Sequence, residues 1–131
     1  MSAGRLLLIL LRVGGGLQVV LGIAFWTGHL YQYLGVHRAI GVGFVAVLWA
    51  VAALAMMDRD RRGLALFAIA WGLVIAALGF AQQRLVPGDW HWIVRVAHLA
   101  IGIAAIPIAE RLSKRATAAS SAERITGATA A

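Results

Sequence analysis

The sequence predicts an all-α integral membrane protein, a single four-helix bundle that runs up-down-up-down. Of its 131 residues, 62% are hydrophobic and only 13% are charged, and the mean hydropathy is +0.85. Soluble domains average about 45–50% apolar and about 25% charged residues, so this balance indicates a protein surrounded by lipid. The charged residues cluster in short segments between apolar runs, which is how membrane proteins distribute them.

Four apolar runs are each long enough to cross a bilayer. They cover approximately Leu6–Trp26, Leu34–Met57, Leu64–Gln83 and Trp90–Glu110. At about 1.5 Å per residue, roughly 20 helical residues span a hydrocarbon core of about 30 Å. Helices are expected because lipid cannot satisfy backbone polar groups. No run shows the wide polar face of a helix in a soluble bundle, so a soluble fold is disfavoured.

Lysine and arginine are unevenly divided between the two ends of the predicted bundle. One end carries Arg5, Arg59, Arg61, Arg62, Arg111, Lys114 and Arg115. The other carries only Arg38 and Arg84, with Arg95 a little inside the fourth run. The positive-inside rule therefore places both termini in the cytoplasm. The protein itself is expected in the cell's inner (plasma) membrane. Five aromatic residues then lie at the outer interface, where such rings prefer to sit: Trp26, Tyr31, Tyr33, Trp90 and Trp92.

The bundle is expected over residues 1–112, followed by a cytoplasmic tail. The first run does not resemble a cleavable signal peptide, because Arg12 interrupts its apolar core and no clear cleavage site precedes Trp26. Residues 113–131 are small and polar, which predicts a disordered tail. Most of the charged residues, which give a net charge of +7, lie between or beyond the apolar runs, so no nucleic-acid partner is expected. The absence of cysteine excludes disulfides and thiolate metal sites.

Two short segments occur twice in the chain, in the same order. LGIA (21–24) precedes HRAIGV (37–42), and LGFA (78–81) precedes HLAIGI (98–103). The separation between glycine and histidine is 15 residues in the first copy and 19 in the second. Two helix pairs of equal order and orientation predict an internal two-helix repeat, related by an axis along the membrane normal.

The repeat predicts a shared site for two histidines. His37 and His98 fall at similar depth on the second and fourth helices, in the outer half of the membrane. These helices are diagonal partners in such a bundle, with axes on the order of 12–14 Å apart. Two inward histidines would share one metal there, each through a bond of about 2 Å. A planar macrocycle would fill the remaining width.

Small and cationic residues complete this predicted site. Gly41 and Gly102 each follow the histidine by four residues, which places them one turn deeper on the same face. A missing side chain at that position leaves space beside a flat ring. Arg38 and Arg95, near the outer interface, would bind the carboxylates of a haem, because the guanidinium fork matches a carboxylate.

Paired transmembrane histidines with a glycine one turn away resemble small membrane b-type cytochromes, which hold haem between two histidines. The resemblance covers the two His-x-x-x-Gly elements and the four-helix layout. It implies one haem b with His37 and His98 as axial ligands, and no second haem, since one inward histidine pair is present. It also implies an electron carrier between a quinol or membrane dehydrogenase and a partner protein on the outer side. Whether the protein is an enzyme stays open.

Other interpretations of these residues stay open. The histidines are also explained as packing or interfacial residues, or as a site for another metal, a proton or a substrate. The segment LRVGGGLQ (11–18) and the four-span length resemble DoxX-like membrane proteins. That resemblance implies a non-catalytic membrane protein or an accessory subunit of a larger membrane complex. A homodimer in the lipid bilayer is equally compatible with the sequence.

The remaining polar residues of the runs support smaller predictions. His29 and His91 are expected to face the outer mouth of the same axis, either as metal-binding or proton-accepting groups or as solvated histidines. Arg12 is expected to reach toward the cytoplasmic side and to pair with Glu110. Gln18, the one deep amide of the first run, is expected to form a hydrogen bond between helices.

Overall fold

The protein is a bundle of four long helices. A computed structural model describes the backbone of residues 3–129 and the side chains of residues 5–113. The helices are α1 (Ala3–Trp26), α2 (Leu34–Met56), α3 (Arg62–Ala81) and α4 (His91–Thr129). All four are long and apolar enough to cross a membrane, and no strand occurs within the described backbone. The predicted all-α membrane-type bundle is therefore confirmed.

The helix boundaries follow the predicted runs closely, except at the C-terminal end of α4. The first three helices end within two residues of the predicted positions. Helix α4 continues past Glu110 to Thr129, through residues that the sequence predicts to be disordered. The side chains of residues 114–131 lie outside the described part of the structure, and the disorder of this tail stays a prediction.

The two ends of the bundle differ in their connections. We call the end with the start of α1, the α2–α3 turn and residue 113 the terminal end, and the opposite end the far end. At the terminal end, buried Arg61 pairs with Asp58 (Nε to Oδ2, 2.8 Å) and donates to the Leu112 carbonyl at 3.3 Å. These contacts fasten the α2–α3 turn to α4. Which end faces the cytoplasm stays a prediction.

The apolar core fills the terminal half of the bundle. Its fully enclosed residues are Leu11, Leu48, Ala52, Ala65, Ala68, Ala105 and Ala109. Alanine at most of these positions allows helix backbones to approach closely. Within the described range α2 contacts α4 directly across the bundle, whereas α1 and α3 scarcely meet. The terminal half is therefore closed, and the open space lies nearer the far end.

The two halves of the chain place polar contacts at matching positions. The repeated segments relate α1 to α3 by a shift of 57 residues, and α2 to α4 by a shift of 61. Arg12 donates from Nε (3.0 Å) and Nη2 (2.6 Å) to Oε1 of Glu110, as predicted. In the repeat, Arg12 of α1 corresponds to Ile69 of α3, and Glu110 of α4 corresponds to Trp49 of α2. Trp49 Nε1 donates to the Ile69 carbonyl at 3.1 Å. Equivalent positions thus join the helices in both halves, which supports the repeat.

Two tryptophans hold α3 to its neighbours. Trp71 Nε1 donates to the Ile101 carbonyl of α4 at 3.0 Å. The Trp49 indole of α2 packs on Gly72, where an added Cβ would lie 2.5 Å from Nε1. Because the indole needs that space, Gly72 determines how closely α2 and α3 approach.

Candidate functional site

One cavity of about 210 Å³ lies between the four helices in the far half of the bundle. This volume is many times the roughly 10–15 Å³ that one water molecule needs by the same measure. All six residues of the predicted site line it: His37, Arg38, Gly41, Arg95, His98 and Gly102. The structure therefore brings the predicted site residues together around one space.

His37 is held near the start of α2 by aromatic packing. Its side chain is buried, with 9% exposure, and the Phe25 ring lies edge-on to it with centroids 5.3 Å apart. His37 Nδ1 is buried and has no hydrogen-bond partner among the described residues. The orientation of this imidazole is therefore set by packing against α1.

His98 occupies the matching position on α4 and packs against α3. An added Cβ on Gly79 would lie 3.5 Å from His98 Cε1, so the glycine allows the ring to lie close to the α3 backbone. Its Nδ1, like that of His37, is buried without a partner in the described part of the chain. Both histidines line the same cavity.

The other ring nitrogen of each histidine, Nε2, is not enclosed by protein atoms. Among the described residues neither Nε2 atom takes part in a hydrogen bond, and neither is among the enclosed atoms that lack one. Each Nε2 therefore keeps accessible surface, and both rings line the same space. Helices α2 and α4 thus each bring to one cavity a histidine whose ring has no hydrogen-bond partner among the described residues.

The two glycines of the predicted site differ in what they face. Nothing lies within 4 Å of a Cβ added to Gly102, so the space beside it is open. At Gly41 such a Cβ would lie 2.5 Å from Nε2 of Gln18. Gln18 forms no hydrogen bond with any described residue, and its Oε1 is buried and unpartnered. The prediction of a hydrogen bond between helices is therefore wrong. The amide instead occupies the space beside Gly41.

The two arginines of the site lack protein counter-charges. Arg38 and Arg95 are exposed at the cavity wall and make no ion pair or hydrogen bond with any described residue. No aspartate or glutamate is among the residues that line the cavity. The far half of the bundle therefore carries unpaired positive charge, which favours an anionic ligand.

The remaining histidines separate into one that lines the cavity and one that does not. His91 lines it and donates from Nδ1 to the Leu85 carbonyl at 3.1 Å. His29 lies outside it, with Nδ1 3.2 Å from the Thr27 hydroxyl. Within the described residues no three histidine or acidic side chains converge as metal ligands. The side chains thus offer two nitrogen donors, a set that suits an iron whose other four donors come from a macrocycle.

The lining of the cavity follows the internal repeat. Twenty of its 26 lining residues form ten pairs related by the shifts of 57 and 61 residues. The pairs include Gln18 with Ile75, Gly22 with Gly79, and Phe25 with Gln82. The sequence interpretation did not include Phe25 or Gln82 in the site, although the same shifts, applied along whole helices, identify both. The pseudo-twofold axis therefore passes through the cavity.

Known proteins do not identify this site. The chain matches no protein-family model, no characterised protein and no solved structure. A functional assignment consequently depends on the chemistry of the cavity.

Proposed function

We propose that this protein is a membrane electron carrier that binds one haem b between His37 and His98. The observation that carries the proposal is that His37 of α2 and His98 of α4 line one cavity, and that neither ring has a hydrogen-bond partner among the described residues. When bound, the haem supplies an iron centre that takes up and releases one electron. Two protein ligands leave no open position on the iron, which favours electron transfer over oxygen chemistry.

The surroundings of the histidines fit a flat, dianionic ligand. The space beside Gly102 of α4 and Gly22 of α1 is open. A flat ring fits there, and a larger side chain at either position would take up that space. Arg38 and Arg95 supply positive charge for two carboxylates. Val42, Ile103 and Leu99 add apolar wall. The donor set, the space and the charge are thus all of the kind that this cofactor needs.

The position of the cavity supports an electron carrier that acts at one side of the membrane. The cavity lies in the far half, while the terminal half is closed by the alanine-rich core. The predicted topology has both termini in the cytoplasm, so the far end faces the outer side of the plasma membrane. The proposed donor is a quinol in the bilayer or a membrane dehydrogenase, and the acceptor is a partner protein outside. A homodimer or a larger complex is compatible with the lipid-facing apolar surface.

Haem titration of single-histidine variants tests the proposal. The purified protein, freed of haem, is titrated with haem in detergent and followed by its Soret absorbance. We expect one haem per chain in wild type, and loss of the six-coordinate spectrum in His37→Ala and in His98→Ala. His29→Ala is the matched control, because His29 is exposed and lies outside the cavity. A His98→Ala spectrum identical to that of wild type would refute the assignment.

A further inference from the structure

The mouth of the cavity has two chemically different rims. At the mouth, repeat-equivalent positions contrast at three places: Phe25 with Gln82, Trp26 with Gln83, and Leu34 with Arg95. We call the first members, from α1 and α2, the aromatic rim. The second members, from the α3–α4 side, form the polar rim. All six residues line the cavity.

An apolar first half opposite a polar second half is found at the mouth and not deeper in the cavity. Three deeper pairs keep the same character in both halves, namely His37 with His98, Gly41 with Gly102, and Val42 with Ile103, whereas Gln18 with Ile75 and Arg38 with Leu99 differ in the opposite sense. A perfectly symmetric cavity would accept a ligand equally well after rotation about the pseudo-twofold axis. The two rims remove that equivalence where the ligand enters.

The aromatic rim is already packed. The Phe25 ring stacks on Tyr31 with centroids 5.8 Å apart and lies edge-on to His37 at 5.3 Å. These packed rings present an apolar surface to the mouth of the cavity. A charged group placed there would lose hydration without gaining a partner.

The polar rim offers the opposite environment. Arg95 has no ion pair within the described residues, and the amides of Gln82 and Gln83 lie on the same side of the mouth. Arg38 is not its equivalent: the shift of 61 residues matches Arg38 with Leu99, four residues beyond Arg95. At about 1.5 Å per residue, Arg38 therefore lies about 6 Å deeper in the repeat than Arg95.

From this asymmetry we infer that the mouth recognises the carboxylates of its planar ligand on the polar rim, with Arg95 as the residue that binds them. The inference rests on the proposed function and deepens it, because it assigns unequal roles to the two arginines. Arg95 binds a carboxylate at the entrance, where Gln82 and Gln83 also line the cavity. Arg38, one turn deeper, adds positive charge beside the ring.

Titration with haem and with haem dimethyl ester, which lacks the two charges, tests this inference. Wild type is expected to bind haem more tightly than the ester by about tenfold or more, the value of a charge-assisted hydrogen bond. Arg95→Leu should abolish that preference and leave the affinity for the ester unchanged, which also shows that the variant is folded. Arg84→Leu is the control, since Arg84 is exposed at the same end but lies outside the cavity.

The outcomes separate this inference from the proposed function. Equal affinity of wild type for haem and ester, or an equal loss of preference in Arg38→Leu and Arg95→Leu, would overturn the role of Arg95 while haem binding stands. A wild-type protein that binds neither porphyrin would overturn both.

Discussion

His37 and His98 lie on helices that face each other across the bundle, and Nδ1 of each ring is buried without a hydrogen-bond partner in the described part of the chain. A buried polar atom left unpaired costs about 1–3 kcal/mol. Sites that tolerate such a cost are candidates for function. Packing against Phe25 and Gly79, rather than hydrogen bonding, holds the two rings in place.

Filling the open space beside Gly102 should weaken haem binding without unfolding the bundle. Nothing lies within 4 Å of a Cβ at this position, so the side chain of a Gly102→Leu variant enters the cavity instead of the core. Overpacking of a site costs about 1–3 kcal/mol, so we expect the haem affinity to fall about tenfold or more. Titration of the Soret band measures the change.

Gly35→Leu is the matched control for that variant. Gly35 also has nothing within 4 Å of a Cβ, but it does not line the cavity. Its haem affinity should equal that of wild type. Equal affinities for all three proteins would show that the space beside Gly102 does not hold the ligand.

Adding a methyl group at Gly72 should destabilise the contact between α2 and α3. The new Cβ would lie 2.5 Å from Trp49 Nε1, which donates to the Ile69 carbonyl. The indole must move, and we expect a loss of about 1–3 kcal/mol of unfolding free energy. Gly43→Ala, on the exposed face of α2 with nothing within 4 Å, should be neutral or stabilising. Thermal unfolding in detergent compares the two; a Gly72→Ala protein as stable as Gly43→Ala contradicts the packing argument.

The Arg12–Glu110 pair should show coupling in a double-mutant cycle. Arg12 donates two hydrogen bonds to one carboxylate oxygen. Removing one partner leaves a charge on an apolar helix, so Arg12→Leu and Glu110→Leu should each destabilise by about 1 kcal/mol or more. The double variant should lose less than the sum of the two single losses. Strict additivity of the unfolding free energies would show that the pair contributes nothing.

Cysteine labelling should place the far end outside the cell. The chain has no native cysteine, so single variants report one position each. Asp89→Cys, in the α3–α4 connection, should react with a membrane-impermeant maleimide added to intact cells. Asp60→Cys, in the α2–α3 turn, should react only after the cells are opened. The reverse pattern would invert the predicted topology.

The helices were predictable from sequence because lipid leaves few alternatives. Apolar runs of sufficient length must form helices, and their ends follow the charged and turn residues. The predicted run Leu34–Met57 and the observed α2, Leu34–Met56, differ by one residue. The convergence of His37 and His98 on one cavity followed from the repeat, because matching segments occupy matching places.

The parts that sequence reasoning missed depend on contacts between different helices. The bond from Trp49 to a backbone carbonyl leaves no pattern within one helix. Gln18 was expected to bond across helices, but its amide instead packs over Gly41, because the glycine leaves space there. The polar and aromatic rims become apparent only when Phe25 and Gln82 are known to line the same mouth.

The absorbance spectrum of wild-type protein purified from haem-replete cells tests the central claim most directly. We expect a Soret band, the spectrum of a low-spin, six-coordinate iron, and one haem per chain. A well-folded, colourless protein that takes up no haem on titration would contradict it, and the interpretation as a non-catalytic membrane subunit would then be the better one.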